Sequence, residues 1–295
     1  MTTTTLQQSN ETMDQQDLKK KIKKAVKDLP PVPAVVIKIQ QLLFDSNSTA
    51  QQVAEFIESD QAIAAKVLKM ANSTYYGMSG KVASIHHAAV ILGFKALGEL
   101  CTIAAFSDFM GKKLPGYGYH SDELWKHSLA VAGAAKLIAE KINPPIIHEA
   151  LTAGLIHDMG KLILDPYVFE QRETLDAFMD DGNQRFLEAE KQILGFDHAE
   201  IAAEICAHWE FPESLTQAIQ YHHHPSRSHG SEMAFILHLA DYIAVLSGAG
   251  YDLDEVLDIR EEGTEEFLDI HQKDVKSISS SIIEYISKTE SDLSL

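Results

Sequence analysis

Seven histidine and aspartate residues in the second half of the chain are of the types that bind divalent metal ions. They are His127, His157, Asp158, His198, His222, His223 and Asp241. Each lies in or beside a predicted helix with apolar neighbours, where an unpartnered polar side chain is costly. Helical bundles commonly build metal sites from inward-pointing histidine and carboxylate side chains. The pattern therefore predicts a site for one or two divalent metal ions.

The types of donor atom restrict the metal. Imidazole nitrogens combined with carboxylate oxygens suit zinc, iron, manganese or nickel. The set contains no cysteine, which argues against a structural zinc site with thiolate ligands. The chain has only two cysteines, Cys101 and Cys206, and both lie in apolar helical patterns. They are typical of small core residues in a reducing cytosol.

His157 and Asp158 are adjacent in the apolar stretch LTAGLIHDMGKLIL, which predicts a helix over residues 151–164. An isolated pair of this kind is compatible with a plain hydrogen bond at a helix end. The other five residues of the set are what favours a metal. Neighbours on an ideal helix point about 100° apart. Both side chains reach one cluster if a metal lies over the edge between them or if Asp158 bridges two metals.

Lys161 lies one turn beyond Asp158. In a two-metal site, with the ions about 3.5–4 Å apart, a metal-bound hydroxide attacks phosphorus. Lys161 would then offset charge on a phosphoryl oxygen. The alternative is a solvent-facing lysine at a helix end, where cations are favoured. The sequence leaves both roles open.

Apolar residues recur at helical spacing along the chain, and no convincing segment alternates with the period of two that marks a strand. We therefore expect an all-α fold. Composition and breaker residues divide the chain into five parts. They are a disordered tail (1–15), an N-terminal helical part (16–110), a linker rich in Gly, Pro and Lys (111–121), a metal-binding helical part (122–250) and an acidic helical C-terminal extension (251–295).

Capping signals predict where several helices begin and end. Ser48 and Asp60 are expected to cap the starts of two successive helices. Asp197, with Glu200 three residues later, predicts a capping box at the start of HAEIAAEICAHWE. Gly93 is expected to end the helix IHHAAVILG.

Composition limits the functional class. The net charge of −18 opposes nucleic-acid binding, which depends on neutralising phosphates. A small phosphorylated ligand is still compatible if metal ions supply positive charge locally. No run of 18 apolar residues predicts a membrane span, and the N-terminus lacks the features of a secretory signal. We therefore expect a cytoplasmic protein that binds neither nucleic acid nor membrane.

The order of the histidines and aspartates resembles the HD superfamily of metal-dependent phosphohydrolases. The N-terminal segments LPPVPAVVIKI, DQAIAAKVLKMANSTYYG and ILGFKALGEL narrow the resemblance to HDOD-domain proteins. LWKHSLAVAGAAK, EALTAGLIHDMGKLIL, FDHAEIAAEICAHW and LHLADYIA resemble that family's HD-like portion. The resemblance covers about residues 25–250. It implies an all-α bacterial signalling module, with an N-terminal helical bundle packed on an HD-like half.

The resemblance also bears on the site. Many HDOD proteins have lost part of the metal-binding set, whereas every position is filled in this chain. The likeness to HD-GYP relatives extends to His198 and to the pair His222–His223, and it makes Glu123, four residues before His127, an additional carboxylate ligand or else an exposed first-turn acid. After His223 the chain reads HPSRSHG, without a GYP tripeptide. Hydrolysis of cyclic di-GMP is therefore not implied.

Three functional hypotheses follow. The first is a signalling protein whose HD-like half binds one or two metals and either a phosphorylated or nucleotide ligand or a signalling partner. The second is an active phosphohydrolase or phosphodiesterase in which Asp158 and Lys161 are catalytic. The third is a non-catalytic scaffold. All three share one fold, so the fold does not separate them.

Overall fold

The structure is a computed structural model that describes residues 15–32, 34–44, 47–73, 81–180, 185–249 and 260–292. In these ranges the regular elements are helices. The only β-type pairing among them is an isolated antiparallel bridge between Leu114 and Tyr119. The predicted all-α fold is confirmed.

The first half of the chain is organised around one long helix, α5. Its elements are α1 (Gln15–Lys27), α2 (Ala34–Phe44), α3 (Ala50–Glu58), α4 (Gln61–Ala71) and α5 (Ile85–Met110). Helices α2, α3 and α4 pack against α5. Gly93 ends the helical run IHHAAVILG, as predicted: with φ of 82° its backbone is non-helical, so α5 consists of two helices that meet at a kink there. Glycine adopts this left-handed conformation without the steric penalty of a Cβ atom.

Helix α5 is also the one described helix that is long and apolar enough to cross a membrane by length and composition. The rest of the chain buries 56% of its most apolar window. Core helices of globular proteins have the same length and composition.

The second half surrounds the predicted metal site. Its helices are α6 (Glu123–Ile142), α7 (Ile147–Ile156), α8 (Gly160–Glu170), α9 (Arg172–Asp180), α10 (Phe186–Ala189), α11 (His198–His208), α12 (Glu213–Gln220), α13 (Glu232–Leu246), α14 (Thr264–Phe267) and α15 (Gln272–Asp292). Two 3₁₀ turns (Pro144–Ile146 and Pro225–Ser228) and a π turn (Glu190–Leu194) lie between them. Helix α6 packs on α7 and α13, and α11 packs on α8 and α12.

Both ends of the described chain pack on this second half. Helix α1 contacts α8, α11 and the π turn, and it buries Leu18, Ile22 and Val26. Helix α15 contacts α6 and α13 and buries Ile278 and Ile282. The described part of the acidic extension is therefore helical over Thr264–Phe267 and Gln272–Asp292 and integral to the packing. The predicted tail lies outside the described residues except for Gln15, as do residues 251–259.

The predicted linker is an ordered loop. Leu114 and Tyr119 are buried, and they are bridged by backbone hydrogen bonds of 3.0 and 2.9 Å. The Gly116 N–H donates to Oδ1 of Asp165 on α8 over 2.8 Å. A Cβ atom at Gly116 would lie 2.3 Å from the Asp165 carbonyl oxygen, so only glycine allows this approach. The loop is thus fixed to α8 as well as joining α5 to α6.

Of the three predicted N-terminal caps, two are confirmed and one is wrong. Asp60 accepts hydrogen bonds from the N–H groups of Ala62 and Ile63, as an N-cap does. Asp197 and Glu200 form the predicted capping box at the start of α11. The cap of α3 is Thr49, not Ser48. Thr49 also forms a capping box with Gln52, which Ser48 is one residue too early to do.

The helix predicted over residues 151–164 is broken at its polar pair. Helix α7 ends at Ile156, and α8 begins at Gly160. The backbone between them makes three-residue hydrogen bonds, from Met159 N–H to Ile156 and from Lys161 N–H to Asp158, which tighten the turn. His157 and Asp158 therefore lie at a helix junction and not along one continuous helix.

Gly154 sets how closely α7 approaches α6. A Cβ atom at Gly154 would lie 2.6 Å from the Cα atom and 2.7 Å from the nitrogen of Ala132, both backbone atoms of α6. We expect Gly154→Ala to lower the free energy of unfolding by about 1–3 kcal/mol, because overpacking against backbone forces the helices apart. Urea denaturation measures this difference.

Gly133→Ala on α6 is the matched control. Its added Cβ would lie 3.1 Å from Cδ1 of Ile282, a mobile side-chain end. We expect a smaller change in stability, since the side chain yields more easily than a helix backbone. Equal losses in the two variants would contradict the close-packing argument.

Candidate metal centre

The structure brings the seven predicted histidine and aspartate residues together in one cluster. They are supplied by α6 (His127), the α7–α8 junction (His157 and Asp158), the first position of α11 (His198), the turn after α12 (His222 and His223) and α13 (Asp241). All are buried except Asp241, whose side chain is 16% exposed. Five separate segments must therefore pack correctly to form the site.

Asp158 lies between two groups of residues. Its Oδ2 atom is 3.7 Å from Nε2 of His127 and 3.5 Å from Nε2 of His157. Its Oδ1 atom is 3.2 Å from Nε2 of His198 and 3.9 Å from Nε2 of His222. The two carboxylate oxygens thus face different sets of imidazole nitrogens, which is the arrangement expected of a carboxylate that bridges two metal ions.

The first group, His127, His157 and Asp241, faces Oδ2 of Asp158. Oδ1 of Asp241 is 3.1 Å from Nε2 of His127 and 4.0 Å from Nε2 of His157. The ligand atoms of His127, His157 and Asp158 all lie within 4.8 Å of one another. Together with Asp241, they offer two imidazole nitrogens and two carboxylates to a first metal position.

The second group, His198, His222 and His223, faces Oδ1 of Asp158. The Nε2 atoms of His198 and His223 are 2.8 Å apart. Ligand atoms of these three histidines and Asp158 again lie within 4.8 Å of one another. They could offer three imidazoles and one carboxylate to a metal ion.

Backbone carbonyls fix the orientation of three of these imidazoles. The Nδ1 atoms of His127, His157 and His222 lie 2.7, 2.8 and 2.7 Å from the carbonyl oxygens of Ala249, Gly154 and Ile219 respectively. A carbonyl oxygen only accepts, so each Nδ1 carries a proton and donates it. Each Nε2 therefore has a free lone pair in the neutral ring. An outer hydrogen bond of this type is usual for histidines that bind metals.

Several atoms that face the cluster lack a hydrogen-bond partner among the described residues. They are Nε2 of His157, Oδ1 of Asp158, Nε2 of His222 and Nδ1 of His223. Leaving a buried polar atom unsatisfied costs about 1–3 kcal/mol. Coordination to a metal would satisfy the Nε2 atoms of His157 and His222 and the Asp158 oxygen, so the residues present fit a metal-binding role.

Burial and neighbouring charges set the protonation states. Burial lowers the pKa of His157, and burial together with His157 lowers the pKa of His222 to about 3. Burial also holds the pKa of His223 well below its usual value. These three rings are neutral at pH 7, as metal ligands must be.

His198 and Asp158 are charged in the absence of a metal. Burial lowers the pKa of His198, but the carboxylates of Glu190 and Asp158 outweigh it and raise the value to about 10. Burial raises the pKa of Asp158, while His157, Lys161 and His198 bring the net value well below its usual range. Coordination of a metal by Nε2 of His198 would therefore have to release a proton from this ring.

Lys161 is a buried partner of the cluster and not a solvent-facing lysine. Its Nζ atom lies 2.6 Å from Oδ2 of Asp158 and 3.4 Å from the hydroxyl of Tyr119. The side chain is 13% exposed and lies over the rings of Tyr117 and Tyr119. Burial lowers its pKa, but Asp158 more than compensates, so Lys161 stays cationic beside the site.

Glu123 is not brought into the cluster. Its Oε2 atom accepts a hydrogen bond of 2.6 Å from the backbone N–H of His120, just before α6 begins. Sharing a helix face with His127 does not by itself place Glu123 beside the cluster. The structure gives this carboxylate a role in the turn that precedes α6.

Sequence reasoning missed Glu190, which supports His198. Glu190 lies on the π turn and is fully buried. One carboxylate oxygen accepts from both the backbone N–H (2.9 Å) and Nδ1 (2.8 Å) of His198. The available signal was its position on the apolar face formed by Phe186, Ile193 and Leu194, where an acid is out of place.

His238 is a second supporting residue. Its Nδ1 donates to the carbonyl of His222 over 2.7 Å, and its Nε2 accepts from the N–H of Glu261 over 2.9 Å. It therefore ties the backbone of the second group to the C-terminal extension. A single histidine in an apolar helix gave no indication of this role.

Comparison with known proteins agrees with this architecture. The profile of the HDOD domain family matches residues 29–225. An uncharacterized protein of Treponema pallidum (strain Nichols) is 23% identical over 199 residues, which are 67% of this chain and 38% of that protein. The uncharacterized protein YuxH of Bacillus subtilis (strain 168) is 33% identical over 96 residues, 32% and 22% of the respective chains. The chain thus spans less than half the length of these two relatives.

Solved structures share the whole fold. An HDOD domain protein of unknown function from Geobacter sulfurreducens is 26% identical, with a TM-score of 0.78 over 95% of this chain and 98% of that one. A candidate phosphohydrolase from Shewanella amazonensis SB2B is 26% identical, with a TM-score of 0.66 over 92% and 95%. A candidate signal transduction protein from Marinobacter aquaeolei VT8, at 21% identity and a TM-score of 0.71 over 95% and 66%, shows the fold alone. Since the family profile covers more than half of the chain and the solved HDOD structure shares its architecture, this chain belongs to the HDOD domain family.

Proposed function

We propose that this chain is an HDOD signalling protein that binds two divalent metal ions in its histidine–aspartate cluster and, through them, a small ligand that carries a phosphate group. The observation that carries the proposal is the position of Asp158, with one oxygen toward each group of imidazoles. The buried, unpartnered nitrogens of His157 and His222 support it. Zinc, iron, manganese and nickel all suit these donors.

The ligand atoms of the two groups indicate which residues would hold each metal ion. His127, His157 and Asp241 hold the first metal, His198, His222 and His223 hold the second, and Asp158 serves both. Metal ions at these positions would bind phosphoryl oxygens and lower the pKa of a bound water to near 7. Lys161 holds Oδ2 of Asp158 in place and supplies a positive charge beside the phosphate.

A phosphorylated ligand is favoured over nucleic acid by charge. The chain carries −18, which repels a polyanion whose binding depends on many phosphate contacts. One phosphate group needs only local positive charge, and the metals and Lys161 would supply it. The signalling role and a protein partner rest on family membership. A cytoplasmic location agrees with Cys101 and Cys206, which are buried and unpaired.

The second candidate function is hydrolysis of a phosphoester, with Asp158 and Lys161 as catalytic residues. The specific observation in its favour is the ion pair of Lys161 with Asp158, which keeps a cation at the cluster. The similarity to the candidate phosphohydrolase of Shewanella amazonensis, which is 26% identical, also supports hydrolysis. The third possible function is a scaffold that binds no metal, and the experiments below can also identify it.

Metal content tests the proposal directly. We expect wild-type protein, purified without a metal-affinity tag, to contain up to two equivalents of divalent metal by elemental mass spectrometry. The double variant His157→Ala/Asp158→Ala should contain almost none, because it removes the bridging carboxylate and a ligand. His208→Ala, which changes an exposed histidine at the end of α11, is the control and should keep the metal. Unchanged metal content in a folded double variant would refute the proposal.

Single variants test the two-position arrangement. We expect His127→Ala to retain about one equivalent and His223→Ala to retain about one, because these histidines belong to different groups of the cluster. Asp158→Asn should lose both, since the amide of Asn is a weaker ligand for either metal. Thermal unfolding by circular dichroism identifies any variant that loses metal only through loss of the fold. Loss of both equivalents from a folded His223→Ala protein would favour a single metal position.

Activity measurements distinguish a protein that only binds a phosphorylated ligand from one that hydrolyses it. If the chain is a phosphohydrolase, metal-loaded protein should turn over a member of a panel of nucleotides, cyclic nucleotides and phosphate monoesters. Lys161→Gln should then lower kcat by about 10²–10³-fold with the metal retained, because it removes a positive charge from the reacting phosphate. Lys95→Gln, an exposed lysine on α5, is the control. Metal-loaded protein that is silent across the panel would leave ligand binding as the function.

A further inference from the structure

Glu190, which lies outside the cluster, contacts His198 of the second group at two atoms. Its Oε2 atom accepts from the backbone N–H and from Nδ1 of His198, at 2.9 and 2.8 Å. The first contact satisfies an N–H at the start of α11, which has no partner inside the helix. The second fixes the ring. A single carboxylate oxygen therefore sets both where α11 begins and how its first side chain is oriented.

The orientation of His198 depends on a side chain, unlike that of His127, His157 and His222. Those three rings donate to backbone carbonyls, which are part of the helices themselves. The ring of His198 instead donates to a carboxylate on the π turn, a local rearrangement of the helix that is frequent at functional sites. The second metal position thus has a support that can be removed without changing the backbone.

Tyr117 extends this support to the loop of residues 111–121. The Tyr117 hydroxyl donates to Oε1 of Glu190, the oxygen that His198 leaves free. Two contacts dock the same loop: Gly116 N–H to Asp165 over 2.8 Å, and Arg172 to the Gly116 carbonyl over 2.9 Å. A continuous path therefore joins the loop to His198 through one tyrosine and one glutamate.

We infer that Glu190 is a positioning residue that holds the Nδ1–H form of His198, and that Tyr117 makes occupancy of the second metal position depend on docking of the 111–121 loop. The inference rests on the proposed metal-binding function and adds a means of regulation to it. A partner or ligand that displaces the loop would weaken metal binding at the second position and leave metal binding at the first position unchanged.

Metal titrations of four variants test this inference, with Zn²⁺ and a competing chromophoric chelator. Glu190→Ala should weaken binding at the second position by about 10–100-fold, which is the usual effect of losing an outer hydrogen bond to a metal ligand. Glu190→Gln keeps an oxygen for His198 and should lose less. Tyr117→Phe should fall between wild type and Glu190→Ala. Glu188→Ala, an exposed acid on α10, should bind like wild type.

A measurement on metal-free protein keeps this test separate from the test of metal binding. Side-chain ¹⁵N NMR reports which nitrogen of each histidine is protonated, and His198→Gln assigns the resonance. In metal-free wild type the charged His198 ring should carry protons on both Nδ1 and Nε2; the Nδ1 proton should be retained in Glu190→Gln and lost in Glu190→Ala.

Each experimental result tests a different part of the inference. Unchanged affinity at the second position in Glu190→Ala, or an unchanged His198 signal, overturns the role of Glu190. Wild-type affinity in Tyr117→Phe overturns the link to the loop. A wild-type protein that binds no metal refutes the proposed function and with it the regulation of the second position, while the ¹⁵N signal still decides whether Glu190 fixes His198.

Discussion

The buried carboxylate of Asp158 is the constraint on which the rest of the second half depends. Its side chain is 2% exposed, and an isolated charge at that depth would be strongly destabilising. It is compensated from two sides, by Lys161 at 2.6 Å on Oδ2 and by His198 at 3.2 Å on Oδ1. The partners come from α8 and α11, which can meet only because Gly160 has no Cβ atom, since one would lie 2.0 Å from the His198 carbonyl oxygen. The charge of Asp158 is therefore compensated only if α8 and α11 pack closely at Gly160.

Helix ends do much of the positioning. The last carbonyls of a helix have no partner within it, and the cluster uses two of them. His157 follows the end of α7 and donates to Gly154, while His222 follows the end of α12 and donates to Ile219. Each ring is thus held by the helix that precedes it, and its other nitrogen faces Asp158. This explains why the polar pair breaks the apolar run: a continuous helix would have used the Gly154 carbonyl for its own backbone.

The sequence allowed the seven cluster residues to be predicted because each is a polar group in an apolar helical setting. It also predicted the all-α fold and the capping box of α11. Other features depended on contacts between distant residues and could not be seen. Tyr117 meets Glu190 across 73 positions, so nothing local marks either residue. Glu123 was predicted as a ligand because its spacing places it on the same helix face as His127. The spacing could not show that its carboxylate accepts a hydrogen bond from the backbone N–H of His120 instead. The break at His157 was missed because apolar periodicity continues through it.

The two groups share Asp158 but differ in what supports them, and this difference has a consequence for the fold. The histidines of the first group are oriented by backbone carbonyls, and so is His222 of the second group. His198 of the second group depends instead on Glu190 on a π turn and, through Tyr117, on a surface loop. If ligands of the second group are lost, Asp158 still has Lys161 and the first group to compensate its charge. A fold built in this way can keep its core while it loses metal ligands, because the cost of the buried carboxylate is already met by a lysine three residues away.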